Sequence, residues 1–247
     1  TGAQAAGAMQ DEYGEMTSDG HTYVHPTPFQ LENGQVLENA QLRYQTYGDL
    51  NEARDNVLVI CHALTGNASL DAWWGDLLGP GKAFDTSRYM VVCCNILGSC
   101  YGSTGPMSIN PQTNQPYGKD FPDISVKDTV RLQLEMLVND LKVRSIKAVI
   151  GGSFGGMQAV EFAVQAGSSN ASPFAQSCFF SSTEDDTMAP LVRTVIPIAC
   201  GAAHTAWQIG ISEAQRQAIY ADPNWATDGL KATKGLALAR QIGMVSY

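Results

Sequence analysis

A serine flanked by glycines, in the segment VIGGSFGGMQAV at residues 149–160, is the clearest candidate for covalent chemistry in this sequence. Gly151, Ser153 and Gly155 fit the pattern G-x-S-x-G, with a predicted strand before them and a predicted helix after them. Such a turn exposes the serine hydroxyl at the end of a sheet, near the positive end of the helix. We therefore predict that Ser153 is a nucleophile, in preference to a phosphate-binding loop or a plain structural turn.

A serine that attacks a carbonyl group needs backbone N–H donors for the oxyanion that forms. The N–H of Phe154, the residue after the serine, is the natural first donor. The second is expected from a loop after an earlier strand, and CHALTGN at residues 61–67 follows such a strand. We predict that the Leu64 N–H is this second donor and that His62 is a satisfied structural histidine at the strand end.

A serine nucleophile also needs an acid and a histidine that activate it. In sites of this kind the chain order is Ser, then an acid, then His, and His204 is the only histidine after Ser153. A Ser153–Asp185–His204 triad fits that order, but His204 directly follows a predicted strand instead of lying in a late loop. We therefore expect the catalytic Asp and His beyond Tyr247, which would leave this chain alone catalytically incomplete.

Four apolar, β-branched segments predict buried strands, and amphipathic or apolar segments between them predict helices. This alternation predicts an α/β fold with a mostly parallel sheet covered by helices on both faces. Residues 27–48 alternate in polarity and predict antiparallel strands. Ser125 and Asp128, ahead of a helical pattern, predict a capping box.

The chain divides into three predicted parts. Residues 1–26 are read as a mobile N-terminal tail, and residues 27–201 as the α/β core. Within the core, the Ser-rich, acidic residues 168–190 predict a surface insertion. Residues 202–247 are helical and predict the first part of a helical lid, with the C-terminal part of the core absent.

Composition excludes several partners. A formal net charge of −9, without a cluster of Lys or Arg, argues against nucleic acid and anionic membranes. No apolar run of about 18 residues exists, so no membrane span is expected. The six cysteines lack metal-ligand spacing and are typical of reduced thiols, which predicts a cytoplasmic protein with no metal. An organelle is the alternative if a presequence was removed before Thr1.

Several motifs together resemble one family. HALTG, N-x-L-G-S-x-x-G-S-T-G-P, GGS-x-GGMQ and GLALAR…SY are similar to homoserine O-acetyltransferases, of the α/β-hydrolase superfamily, over residues 27–167 and 190–247. The resemblance implies an α/β-hydrolase fold and acetyl transfer from acetyl-CoA, through a Ser153 acyl-enzyme, to L-homoserine for methionine synthesis. It also implies that Leu64 and Phe154 form the oxyanion hole by their backbone N–H groups. Arg240 and Tyr247 match the substrate-binding residues of the family.

The chain departs from the family where Phe154 replaces the usual Met and where residues 168–190 replace a short connection.

The resemblance also implies that acetyl-CoA is a co-substrate, with no permanently bound cofactor, and that the acceptor is a small hydroxy-amino acid. A serine O-acyltransferase, an esterase and a non-catalytic or truncated subunit stay open as alternatives. For assembly, a homodimer through the lid and a separate C-terminal chain are the two alternatives.

Overall fold

The computed structural model describes residues 20–166, 191–227 and 229–246, and these ranges contain ten strands and five α-helices. The strands are β1 (His21–Val24), β2 (Phe29–Gln30), β3 (Val36–Leu37), β4 (Gln41–Tyr47), β5 (Val57–Cys61), β6 (Met90–Cys94), β7 (Ile109–Asn110), β8 (Gln115–Pro116), β9 (Ile146–Gly152) and β10 (Val195–Ile198). The helices are α1 (Leu70–Trp74), α2 (Val126–Glu135), α3 (Phe154–Ala166), α4 (Ala206–Tyr220) and α5 (Thr233–Val245). None of these helices is long and apolar enough to cross a membrane.

Six strands form one sheet in the order β1-β4-β6-β5-β9-β10. β4 is antiparallel to both β1 and β6, whereas β6, β5, β9 and β10 are mutually parallel. The four strands predicted from apolar segments therefore make the parallel part, and the alternating segment before residue 48 supplies the antiparallel strand β4. The predicted mostly parallel α/β architecture is confirmed.

The central strands are buried on both faces, which explains why they are apolar at every position. All residues of β5 and β6 are buried. In β5, Val57 and Val59 belong to a core cluster that includes α2 and α3. Leu58 and Ile60 face the opposite side, in a second cluster that includes Leu70 of α1. Successive residues of a strand point to opposite faces, so both layers are needed to exclude water.

Helix α2 begins at the predicted capping box. The Asp128 N–H donates to Ser125 Oγ at 3.1 Å, and the Ser125 N–H donates to Asp128 Oδ2 at 3.2 Å. The Glu32 N–H also donates to Asp128 Oδ1 at 2.9 Å, which ties the small β2–β3 hairpin to the helix. α2 continues into a π-helical turn, Met136–Asp140, before the chain enters β9. The capping box is therefore confirmed, and it fixes the start of the helix that carries Gln133.

Strand β1 lies inside residues 1–26, which were predicted as a mobile tail, so this prediction is wrong for residues 21–24. Residues 21–24 pair with residues 41–44 of β4, and Tyr23 is buried. Just after the strand, His25 Nε2 lies 2.5 Å from Glu135 Oε2 of α2. These partners are distant in the sequence, so local composition gave no sign of them. Residues 1–19 and the predicted insertion, 168–190, lie outside the described residues.

Helices α4 and α5 pack against each other as a helical hairpin, at the position predicted for the lid. A Cβ atom at Gly235 would lie 2.6 Å from the Ala218 carbonyl oxygen, so the two backbones are in contact there. The Gly235 N–H also donates to Asp222 Oδ2 at 2.8 Å. Lys119 Nζ donates to the carbonyl oxygens of Trp225 and Ala226, at 3.0 and 3.1 Å. The hairpin is thus joined to the loop before α2.

Candidate active site

Ser153 lies at the turn between β9 and α3, with a backbone φ of 56° that non-glycine residues rarely adopt. Its N–H donates to the Ile198 carbonyl at 2.9 Å, across to β10. Its carbonyl accepts from the N–H groups of Gly156 and Met157, at 2.9 and 3.2 Å. The strand–serine–helix turn expected from the sequence is present, and the nucleophilic role of Ser153 stays a prediction.

Two glycines let the backbone fold tightly around this serine. A Cβ atom at Gly151 would lie 2.2 Å from the carbonyl oxygen of Gly155, so the strand and the first turn of the helix are in direct backbone contact. A Cβ atom at Gly155 would lie 2.0 Å from the Cys61 carbonyl oxygen and 3.1 Å from that of His62. The start of α3 therefore rests against the end of β5, where the predicted oxyanion loop begins.

The loop after β5 forms a tight turn at residues 63–66, called here the oxyanion turn. The Gly66 N–H donates to the Ala63 carbonyl at 2.9 Å, which closes the turn. Leu64 is the second residue of the turn, and its side chain is 65% exposed. Within the described ranges no acceptor is found for the Leu64 N–H. The role of this N–H as the second oxyanion donor stays a prediction.

The direction of the Leu64 N–H is set by the carbonyl before it. The Ala63 carbonyl and the Leu64 N–H belong to one planar trans peptide, so they point in opposite directions. The Ala63 carbonyl is held twice, by the Gly66 N–H and by His62 Nδ1 at 2.8 Å. Phe154, the other predicted donor, is the first residue of α3, where N–H groups lack partners within the helix.

His62 is buried, and its side chain lies against Gly66 of the oxyanion turn. Because a carbonyl oxygen only accepts, Nδ1 carries the proton in the contact with Ala63, and Nε2 is left as an acceptor. Within the described ranges Nε2 has no hydrogen-bond partner. Burial lowers the pKa of His62 below 6.5, and the bond to Ala63 opposes this in part. A satisfied structural histidine was predicted here: Nδ1 has a partner, whereas among the described residues Nε2 has none.

The lowered pKa of His62 predicts a loss of stability in acid. The unfolded chain takes up a proton near pH 6.5 and the folded chain only at lower pH, so stability is fully present above about pH 6.5 and falls as the pH drops towards the folded pKa. His62→Asn keeps a donor for the Ala63 carbonyl but does not titrate. Between about pH 7.5 and pH 5.5 we expect the urea midpoint of the wild type to fall further than that of His62→Asn. Parallel declines in the two proteins would contradict this role of His62.

The other histidines are distributed over the surface and the N-terminal strand. His21 is exposed and contacts the Tyr44 ring, with centroids 5.3 Å apart, and His25 contacts Glu135. His204 is exposed in the loop between β10 and α4. Asp185 lies outside the described residues, so the Ser153–Asp185–His204 arrangement is not tested. Within the described ranges no cluster of three His, Cys, Asp or Glu residues suits a metal ion.

Of the two predicted substrate-binding residues, the described ranges include Arg240. Arg240 is exposed on α5, next to the buried Ala239. Tyr247 lies outside the described residues. The hairpin places Arg240 on an element that Lys119 joins to the rest of the fold, and its role in binding stays a prediction.

The sequence analysis did not predict a role for Gln158, although this residue lies within the GGMQ motif. It is fully buried in α3, and its Nε2 donates to the carbonyl of His62 at 3.3 Å. Its Oε1 accepts from Gln133 Nε2 of α2 at 3.2 Å. A glutamine on the largely apolar face of this helix is the signal that would have identified it, because buried amides require partners.

The comparisons with known proteins assign the chain to the α/β-hydrolase superfamily. A family model described as the alpha/beta hydrolase fold matches residues 56–237. A homoserine O-acetyltransferase of Trichormus variabilis is 47% identical over 240 residues, covering 95% of this chain and 60% of the relative. The chain thus spans about 60% of the length of this curated relative.

Solved structures with the same fold include both transferases and hydrolases. A homoserine O-acetyltransferase from Bacillus anthracis has 29% identity and a TM-score of 0.74, with 92% of this chain and 60% of that chain covered. Esterase E22 has 28% identity and a TM-score of 0.72, with 91% and 60% covered. Structures similar to this chain thus include one named as an acetyltransferase and one named as an esterase.

Proposed function

The chain belongs to the α/β-hydrolase fold family, and on this premise we propose that it moves an acetyl group from acetyl-CoA, through Ser153, to the hydroxyl group of L-homoserine. Ser153 Oγ attacks the thioester carbonyl and loses its proton to a base. The oxyanion collapses, the thiolate of CoA leaves and is protonated, and an acetyl-serine ester forms. The homoserine hydroxyl then loses its proton to the base and attacks this ester, Ser153 Oγ leaves and takes up the proton, and O-acetylhomoserine is formed.

The observation that carries this proposal is the contact between the serine turn and the oxyanion turn. Gly155, two residues after Ser153, has its Cα against the Cys61 carbonyl, only three residues before Leu64. The start of α3 and the start of the loop that carries Leu64 are thus in backbone contact next to Ser153, whose φ is 56°. Among the described residues, no backbone acceptor is found for the N–H groups of Leu64 and Phe154. Such preorganised donors stabilise the charge that develops on an attacked carbonyl oxygen.

We further propose that the acid and the histidine of the triad come from polypeptide outside these 247 residues. The homoserine O-acetyltransferase of Trichormus variabilis is longer than this chain, which covers 60% of it. In the described ranges β10 is an edge strand, with Ile196 and Ile198 42% and 44% exposed. Apolar edge strands are normally covered. A following segment that covers β10 would also approach the Ser153 turn, whose N–H bonds to Ile198.

Arg240 and Tyr247 are proposed to bind the acceptor. A guanidinium group suits the α-carboxylate of an amino acid, because it donates two parallel hydrogen bonds. Arg240→Met is expected to raise KM for homoserine about 10-fold or more while the rate of acetylation by acetyl-CoA is unchanged, since a charged hydrogen bond is lost only in acceptor binding. Initial rates at varied homoserine, with Arg216→Met on α4 as the matched surface control, measure this effect. An unchanged KM would remove Arg240 from the acceptor site.

The direct test of the function measures where the acetyl group goes. The full-length protein is incubated with acetyl-CoA, with and without L-homoserine, and CoA, acetate and O-acetylhomoserine are quantified. We expect O-acetylhomoserine to account for the released CoA, and L-serine to be acetylated more slowly. Equal rates with the two amino acids would favour a broader serine or homoserine acyltransferase.

Hydrolysis is the second candidate, favoured by the similarity to esterase E22. Water and homoserine compete for the same acetyl-serine, and a transferase has to exclude water from it. If acetate alone accumulates at saturating homoserine, the protein is an esterase and the transferase proposal is wrong. If neither product forms and Ser153 is never acetylated, the non-catalytic alternative stands.

We also propose a cytoplasmic location and, for assembly, a homodimer through the helical hairpin. Cys61, Cys93 and Cys94 are buried thiols without a disulfide, and this suits a reducing compartment. The organellar alternative gains no support from the relatives compared. Trp207 of α4 and Val245 of α5 are 70% and 87% exposed, so the hairpin offers apolar surface for a second copy. Sedimentation of the full-length protein distinguishes a dimer from a monomer.

A further inference from the structure

We propose that Gln158 is a positioning residue for the oxyanion turn, acting through the carbonyl of His62. The inference rests on the proposed acyl chemistry at Ser153 and deepens it, since it names what holds the second oxyanion donor in place. It does not depend on whether the acyl group passes to homoserine or to water.

Two buried glutamine amides link helices α2 and α3 to the residue that precedes the oxyanion turn. Gln133 on α2 is 1% exposed, and its Nε2 donates to Gln158 Oε1 at 3.2 Å. Gln158 on α3 is 0% exposed, and its Nε2 donates to the His62 carbonyl at 3.3 Å. Because the Gln133 bond occupies the Gln158 oxygen, the Gln158 amide is oriented with its NH₂ group towards His62.

The His62 carbonyl is the first one beyond the paired part of β5. Cys61 is the last residue of β5 that pairs with β9, so the sheet does not hold the following peptide. The Gln158 amide holds this peptide instead, through its bond to the His62 carbonyl. The Gly155 backbone also lies against this point, because a Cβ atom there would be 3.1 Å from the His62 oxygen.

Fixing the His62 carbonyl orients the next two peptides. The plane of the His62–Ala63 peptide is set by the bond from Gln158, and the His62 ring then holds the Ala63 carbonyl through Nδ1. The Leu64 N–H points opposite to that carbonyl. Without Gln158 a buried carbonyl would lose its donor, and rotation of the peptide to find another would turn the Leu64 N–H away.

The chain provides a matched control on the same helix. Gln165 is two turns after Gln158, is 7% exposed, and donates from Nε2 to the Lys127 carbonyl of α2 at 3.0 Å. It therefore loses a comparable buried amide-to-carbonyl bond when replaced by methionine. It does not contact the oxyanion turn, so a purely structural effect of the two substitutions would be similar.

The test compares Gln158→Met with Gln165→Met in the full-length protein. The first readout is the acetylation rate of Ser153 by p-nitrophenyl acetate, seen as the p-nitrophenol burst. We expect Gln158→Met to slow the burst about 10-fold to 100-fold, since loss of a whole oxyanion donor costs about 10²-fold to 10³-fold. Gln165→Met should leave the burst within about 2-fold of the wild type, and KM for homoserine should be unchanged in both.

The second readout does not need catalysis. Amide hydrogen exchange, followed by mass spectrometry of peptides that contain residues 62–67, should be faster in Gln158→Met than in Gln165→Met and the wild type. Equal exchange in both variants would overturn the proposal, even if the protein shows no burst. If Gln158→Met does not fold, Gln133→Met takes its place and is expected to shift both readouts in the same direction by less.

These outcomes separate the two proposals. A wild type that bursts with the ester but never acetylates homoserine refutes the proposed transferase and leaves the Gln158 comparison valid. Normal acetyl transfer in Gln158→Met, with unchanged exchange at residues 62–67, refutes the positioning role and leaves the proposed function intact.

Discussion

Ser153→Ala is expected to lower the rate of acetyl transfer by about 10⁴-fold or more, because no covalent intermediate can form without the hydroxyl group. The fold should survive, since the turn is held by the backbone of Ser153, whose N–H bonds to Ile198 and whose carbonyl bonds to Gly156 and Met157. Steady-state release of CoA in the presence of homoserine measures the loss. Mass spectrometry of the protein after exposure to acetyl-CoA should show an added acetyl group in the wild type only.

The strained backbone at Ser153 supplies a control for this experiment. At a φ of 56°, glycine is more favourable than alanine by about 1 kcal/mol. Ser153→Gly should therefore be equally inactive but more stable than Ser153→Ala, as judged by urea unfolding. Activity that persists in both variants would remove Ser153 from the mechanism. Equal stability of the two would show that the turn carries no strain.

Gly155→Ala is expected to lower the free energy of unfolding by about 3 kcal/mol or more. Its Cβ atom would lie 2.0 Å from the Cys61 carbonyl oxygen and 2.8 Å from the carbonyl carbon, both of them backbone atoms. Cys61 is paired with Gly151, so the strand cannot withdraw without breaking the sheet. Any protein that does fold should also acetylate Ser153 far more slowly, because Phe154 and the oxyanion turn would be pushed apart. Urea unfolding and the p-nitrophenol burst measure the two effects.

Gly210→Ala is the matched control for this substitution. Gly210 is a helical glycine too, in α4, and a Cβ atom there would meet nothing within 4 Å. Alanine at an exposed helix position is favoured over glycine by about 0.5–1 kcal/mol, so Gly210→Ala should stabilise the protein slightly. If both variants are equally stable, the close approach of α3 to β5 does not constrain the site.

Local patterns predicted the elements because their signals lie within a few residues. The β-branched runs at Val57–Cys61 and Met90–Cys94 indicated strands, and both are buried. Ser125 and Asp128 indicated a helix start, because a capping box joins residues only three apart. The G-x-S-x-G spacing predicted the turn at Ser153 for the same reason.

Contacts between distant segments could not be predicted in this way. His25 is 110 residues from Glu135, and the pair fixes a segment that composition alone assigned to a mobile tail. Gln158 is 96 residues from His62, and a glutamine in a helix gives no indication of which carbonyl it reaches. Such contacts depend on the order of the strands and on how closely the helices pack.

The sequence by itself determined the chemistry proposed for this protein: a serine at a strand–helix turn, a loop for the second oxyanion donor, and motifs of an acyltransferase family. The tertiary structure decided how these parts are held together. It placed the Gly155 backbone against Cys61 and closed the turn at Ala63 and Gly66. It also joined Gln158 to the His62 carbonyl. The reason is physical: a motif sets local backbone conformation, whereas the direction of a single N–H depends on side chains and carbonyls that only packing brings together.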